Sequence, residues 1–313
     1  MGKQRLLSAL KREDEWSQCI ALIGLDRYPG DDTASEVIAF MERAAKPLKQ
    51  IAAVTLGRLG PKGKARLEEI LAGDDEDLIE YALLGYEFVQ EPNRDLVERH
   101  LWSGNTSVVQ AAALTFGKLW PNEVIETLGP LFGHVHDGVR CHTLPYVFVD
   151  TEEPDAINHL TFVYRRAGSH LREHIIDAIR RGMRKNPELM LKTVSIPATL
   201  LAEERQETKG ELEELSAMLN SGSELERWRA AHEIVTKPID GVRPLLKKML
   251  TSRDPIVVRR ALAYILDHDP NYFLSQLFEL LNCQLPEVRV RVAAGLVRID
   301  IPEEMLLHLL GER

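Results

Sequence analysis

One short stretch, "GHVHDGVRCHTL", gathers groups that bind metals: His134, His136, Asp137, Cys141 and His142. Imidazole and thiolate at close spacing hold zinc when their lone pairs converge. The spacing does not dictate convergence. His134 and His136 fall in an interhelix turn, whereas Cys141 and His142 fall about a turn into the next helix. A second stretch, "HLREH", sets His170 and His174 at i and i+4, on one side of a helix. With no second paired site to complete a ligand set, polar turn residues and solvated helix-flank histidines account for both stretches, and neither a metal nor any other cofactor is expected. A Gly-rich phosphate loop, a GxSxG elbow and an HExxH helix are all missing from the sequence, so no catalytic residue is assigned.

The elements that carry these residues repeat. Small or β-branched residues recur at Ala52, Ala82, Ala112, Thr143, Ile175, Ala230, Ala261 and Val292, in steps of 30, 30, 31, 32, 55, 31 and 31 residues. Four residues after each stands a larger apolar side chain: Leu56, Tyr86, Phe116, Val147, Ile179, Ile234, Ile265 and Leu296. That spacing puts each pair on one helical face, and the smaller member lets a neighbouring helix approach. Eight to twelve residues after each aligned position comes a proline: Pro61, Pro92, Pro121, Pro154, Pro187, Pro238, Pro270 and Pro302. Proline ends one helix and suits the first turn of the next, so this phase marks a corner. Each period is therefore helix, turn, helix. A two-helix unit has too little apolar surface to fold alone and buries its face against the units before and after it. The expected fold is all-α, a right-handed α-α superhelix of about ten helix pairs. It is expected as a single solenoid over 1–313, with an irregular unit around 186–222 where the step lengthens to 55 residues. "WSQCIALIGL" and "EEMLLHLL" supply its first and closing helices.

Composition fits that reading. The chain has 313 residues, 44% hydrophobic and only 6% aromatic, which suits helices rich in Leu, Ala, Glu and Arg better than a β-sandwich. Its net charge of −9 disfavours a general nucleic-acid binder, whose affinity comes largely from neutralising phosphates. "MGKQRLLSALKRED" is charged throughout, without the apolar core of a signal peptide, and no apolar run approaches the roughly 20 residues that span a bilayer. Cys19, Cys141 and Cys283 are odd in number and far apart, which suits reduced thiols in the cytoplasm.

"LPEVRVRVAAGLVRID" and "DPIVVRRALAYILD" resemble the short bacterial HEAT-like repeat, also called the phycobilisome-lyase type, whose units open Asp-Pro-x-Val-Arg and continue as Ala-rich helix. The resemblance implies the HEAT-like solenoid and says little about chemistry, because the motif reflects helix packing. Deoxyhypusine hydroxylases of this repeat type hold two irons with several His-Glu pairs. This chain has one such pair, His232-Glu233, which cannot build a diiron site. DNA glycosylases of the HEAT-like class need a cationic groove, aromatics and a carboxylate. Trp16, Trp102, Trp120 and Trp228 are scattered over different units, and "LEEILAGDDEDLIE" is acidic. A chromophore lyase would rest on the fold resemblance alone.

The function expected is therefore non-catalytic: a scaffold or adaptor that binds a protein partner along the concave face formed by the second helices, with neither nucleic acid nor membrane as partner. An enzyme of HEAT-like type acting on nucleic acid or a chromophore is the alternative, distinguished by a basic groove with a buried carboxylate between aromatics. Three rows at equivalent positions are the candidate partner surface: Arg229, Arg260 and Arg291; Val54, Leu84 and Leu114; and His142 with His174. A guanidinium ladder grips carboxylates through its bidentate fork, or else ties repeats together by pairing with Asp254 and Glu287.

Overall fold

Short polar residues open several of the helices. In the computed structural model, which describes residues 2–189, 209–237, 239–283, 285–297, 299 and 301–311, Asp14 accepts the Ser17 amide at 2.7 Å and Asp75 accepts that of Leu78 at 3.2 Å. Asn105 accepts Ser107 N at 2.9 Å and Asp254 accepts Ile256 N at 3.0 Å. Each cap satisfies an amide that the first helical turn leaves without an intrahelical partner. The prolines do the complementary work: Pro61 and Pro154 open helices, and Pro302 stands directly before one. Pro238 lies outside the described residues.

The described residues form α-helices and short 3-10 turns, with no strand among them. They fall into two compact units, residues 1–62 with 205–313, and residues 63–204. The first holds α1 (Gly2–Leu10), α2 (Glu15–Leu25), α3 (Asp31–Arg43) and α4 (Lys46–Arg58). From the far end of the chain come α14 (Lys209–Leu219), α15 (Glu224–Ile234), α16 (Ile239–Leu250), α17 (Pro255–His268), α18 (Leu274–Leu280), α19 (Pro286–Val297) and α20 (Glu303–Gly311). The second unit is built on α5 (Pro61–Ala72), α6 (Glu76–Tyr86), α7 (Arg94–Glu98), α8 (Thr106–Leu119), α9 (Val124–Leu128), α10 (Asp137–Arg140), α11 (Leu144–Asp150), α12 (Pro154–Arg166) and α13 (Ser169–Lys185). Most of the irregular stretch expected around 186–222 lies outside the described residues.

Every aligned pair is core. Both members of all eight pairs, from Ala52 and Leu56 to Val292 and Leu296, are buried. Tyr86, Phe116 and Phe148 are fully buried in the second unit and Phe40 nearly so in the first. Each such side chain contributes about 1.5–3 kcal/mol of hydrophobic stabilisation. Polar seams run through the same packing. Thr55 Oγ1 donates to the Leu22 carbonyl at 3.1 Å, and Thr115 Oγ1, at the equivalent position, donates to that of Leu83 at 2.8 Å. Basic residues six after the aligned positions pair with acids at the ends of the equivalent helices one repeat earlier: Arg58 with Asp26 at 3.3 Å, Lys118 with Glu87, and Arg181 with Asp150 at 3.2 Å.

The first unit departs from the expected stack in which each repeat touches only its sequence neighbours. α4 and α2 pack against α19, and α1 and α2 against α20, so the first and last helices share one core. Tyr28 donates to Glu303 at 2.6 Å, Arg5 to the Leu307 carbonyl at 3.3 Å, and Arg289 to Glu15 at 2.6 Å. Gly24 makes the contact possible, since a Cβ there would lie 2.9 Å from Leu6 and 3.3 Å from Leu306. The apolar faces of the two ends bury each other, which removes the need for a polar capping face.

Candidate functional site

The helix that carries the aligned Thr143, in residues 63–204, is broken. α10 ends at Arg140, a turn occupies 141–143, and α11 starts at Leu144 with Pro145 in its first turn. A proline at 145 cannot donate to the carbonyl of residue 141, and its ring would clash there in a continuous helix, so the chain divides. The break presents His142 to solvent. In the next repeat α13 carries His170 in its exposed first turn and His174 one turn later, half-buried.

The three imidazoles meet. The ring centroids of His142 and His174 are 4.2 Å apart, those of His170 and His174 4.9 Å, and those of His142 and His170 6.0 Å. One ring nitrogen from each lies within 4.8 Å of the other two. Asp137 approaches from the start of α10, with Oδ2 4.0 Å from His170 Nε2 and Oδ1 bonded to Arg140 Nε at 2.7 Å. The Arg140 bond lowers the Asp137 pKa below the ordinary carboxylate value, and the nearby His170 and His142 act in the same direction. Such a group can hold a cation through imidazole lone pairs.

The cluster is not the one its sequence neighbours suggested. His134 and His136 pair with each other, ring centroids 5.5 Å apart. Cys141 is buried, with Sγ 3.9 Å from Asp137 Oδ1, and burial raises its pKa. His142 therefore joins the next repeat rather than its own stretch. The equivalent repeat positions of His142 and His174 were the visible signal for that pair; His170 joins them through its i, i+4 relation to His174.

The other rows divide between core and surface. Val54 is buried, 1% exposed, so it belongs to the packing of its unit and cannot touch a partner as the folded chain stands. Leu84 is half-buried and Leu114 is 38% exposed. Arg229 and Arg291 are exposed and Arg260 is half-buried. Asp254 is not their partner: Arg227 Nη2 reaches its Oδ2 at 3.2 Å, and Trp228 Nε1 donates to the same oxygen at 3.0 Å. Burial alone would raise the Asp254 pKa, but the Ile256 amide, Trp228 and Arg227 together hold it below the ordinary value. The Glu287 side chain lies outside what the structure describes. Position 289 is a further arginine missed from the sequence, bonded to Glu15 and to the Cys283 carbonyl at 2.9 Å.

Two hollows mark the first unit. One, about 500 Å³, is lined by Trp16, Leu274, Phe278, Met305 and Leu309. The other, about 760 Å³, has Arg227, Arg253 and Arg259 around Trp228 and Asp254. That is a basic hollow with a carboxylate beside an aromatic, yet both oxygens of the carboxylate are committed, Oδ1 to the helix cap and Oδ2 to Trp228 and Arg227. It is built as a structural joint.

No known protein family matches the chain, and no characterised protein compared with it does. Among solved structures, a crystal structure described as an engineered protein is similar over 95% of this chain and 89% of its own, at 15% identity and a TM-score of 0.29. A likeness at that level carries no argument about fold, site or function. Among the described residues, no helix is long and apolar enough to cross a membrane.

Proposed function

We propose that the chain is a non-catalytic scaffold whose helix pairs are HEAT-like repeats wound as a right-handed superhelix, and that it binds a protein partner with exposed side chains of its helices and of the turns between them. The observation that carries the reading is the set of large apolar side chains that residues 63–204 leave in water: Trp102 is 65% exposed, Leu114 38%, Val135 80% and Phe162 52%. Trp102 and Val135 lie in the turns that lead into α8 and α10, in consecutive repeats, and Arg166 stacks on Phe162 at 3.6 Å. Exposed aromatic anchors beside arginine are what protein interfaces use for their strongest contacts. In the first unit the exposed Arg229 and Arg291 carry guanidinium groups of the kind that grip carboxylates.

The alternative of an enzyme acting on nucleic acid or a chromophore gains nothing from the hollow at Asp254, whose carboxylate is fully bonded. The test is affinity capture from the native cell with the wild type and with a Trp102→Ala, Leu114→Ser, Phe162→Ser variant, alongside a nucleic-acid binding assay. A protein partner retained by the wild type and lost from an equally helical variant is the expected result. Retention by both, or saturable duplex binding with no protein partner, overturns the proposal.

A further inference from the structure

We infer that His142, His170 and His174 form a binding site for a divalent transition metal of the zinc class. The inference rests on three observations. First, two consecutive repeats deliver His142 and His174 from equivalent positions, while the same position in the first unit holds Ile51, Arg229, Arg260 and Arg291; the packing itself does not require histidine there. Second, His170 stands one helical turn before His174 and completes a set whose ring nitrogens lie within 4.8 Å of one another. Zinc–imidazole bonds of about 2.0–2.1 Å in tetrahedral geometry put ligand nitrogens about 3.4 Å apart. The remaining contraction is about 1.4 Å at most. It falls on His142, in the turn at 141–143, and on His170, in the first turn of α13; both are exposed and can rotate, while the half-buried His174 stays. Third, Asp137 places a carboxylate within 4.0 Å of His170, and Arg140 holds that carboxylate in position. At 4.0 Å the contact is electrostatic and not a hydrogen bond, and the carboxylate's negative charge favours a cation at the imidazoles.

The ligand class follows from the donors. Three neutral imidazoles suit Zn²⁺, Ni²⁺ or Co²⁺ and are poor ligands for Ca²⁺ or Mg²⁺, which take oxygen. Three protein ligands would leave a fourth position for water, and His142 and His170 are both exposed. Bound there, the metal ties the turn between α10 and α11 to α13 and clips two consecutive repeats together.

The test uses the full chain without a polyhistidine tag, titrated with Co²⁺ and followed by its ligand-field absorption, then with Zn²⁺ in competition. One Co²⁺ per chain, displaced by Zn²⁺, is the expected result. His142→Asn and His174→Asn should each weaken binding by about tenfold or more, and a His134→Asn, His136→Asn variant should bind as the wild type does. Circular dichroism establishes that each variant is as helical as the wild type, and a variant that fails this is replaced by His170→Asn, whose side chain is exposed. Absence of saturable binding in the wild type, or a loss that follows His134 and His136 instead, overturns the site. Metal binding is read directly here, so its outcome stands apart from that of the partner capture.

Discussion

At the scale of single residues, burial lowers the pKa of two histidines. His100 is buried, with Nε2 3.0 Å from the Leu71 carbonyl oxygen. Burial lowers its pKa from the ordinary 6.5, and the Leu71 bond opposes that only in part. His159, beside Phe132, Phe148 and Phe162, is lowered by burial too. A depressed histidine pKa means that the unfolded chain binds the proton more readily than the fold does. The stability gained by keeping these rings neutral is complete above about pH 6.5 and is lost as pH falls toward the folded-state value. The melting temperature of the wild type should therefore drop between about pH 7.5 and about pH 5.5. His100→Gln keeps an amide donor for the Leu71 carbonyl but cannot titrate, so its drop should be smaller. An unchanged drop in that variant would clear His100 of the effect.

At the scale of helices, the readable part of the sequence is the part that packs. All eight small-and-large pairs are buried because their period is the period of the helix, and the proline phase marked the corners for the same reason. Cross-repeat partners were less readable. Arginine one residue before the aligned position was one of the candidate partners of Asp254, but Arg227, three before, holds it. At about 100° per residue, one step back points about 100° off the seam and three steps back only about 60°. The histidine cluster was half-legible: its repeat spacing paired His142 with His174, but the helix break at Pro145 that exposes His142 was not read from the sequence. Close approach by glycine was missed as well. Gly117 on α8 faces Val147 of α11, and a Cβ at 117 would overlap the Val147 methyl. Val147 is buried and stiff at χ1, so it cannot give way. Gly117→Ala should gain about 1 kcal/mol in helix propensity and lose about 1–3 kcal/mol to overpacking. A lowered melting temperature is the expected balance. Gly210→Ala in α14, where nothing lies within 4 Å of the added methyl, should leave stability equal or higher. If both variants melt alike, the α8–α11 contact is looser than its geometry says.

At the scale of the molecule, chain order and spatial order part company. Residues 1–62 and 205–313 make one compact unit, and its closing contacts join positions as far apart as Arg5 and Leu307, 302 residues along the chain. Closing so long a loop costs entropy, although the cost grows only slowly with length, so the junction must contribute enough apolar burial to offset it. Leu306 supplies part of that burial: it is fully buried and packs over Gly24, beside Leu6. The periodicity that exposed the repeats could not show this junction, because a period relates each repeat to the next and is silent about which repeat meets the first. Leu306→Ala should cost about 2–5 kcal/mol, the usual penalty for emptying a leucine site in a core. The informative measurement is hydrogen exchange resolved by segment. If the two ends form one cooperative body, amides of α1 and α2 lose protection together with those of α20, although the substitution lies at the other end of the chain. Loss confined to α20, with α1 and α2 exchanging as in the wild type, would mean that the ends touch without stabilising each other.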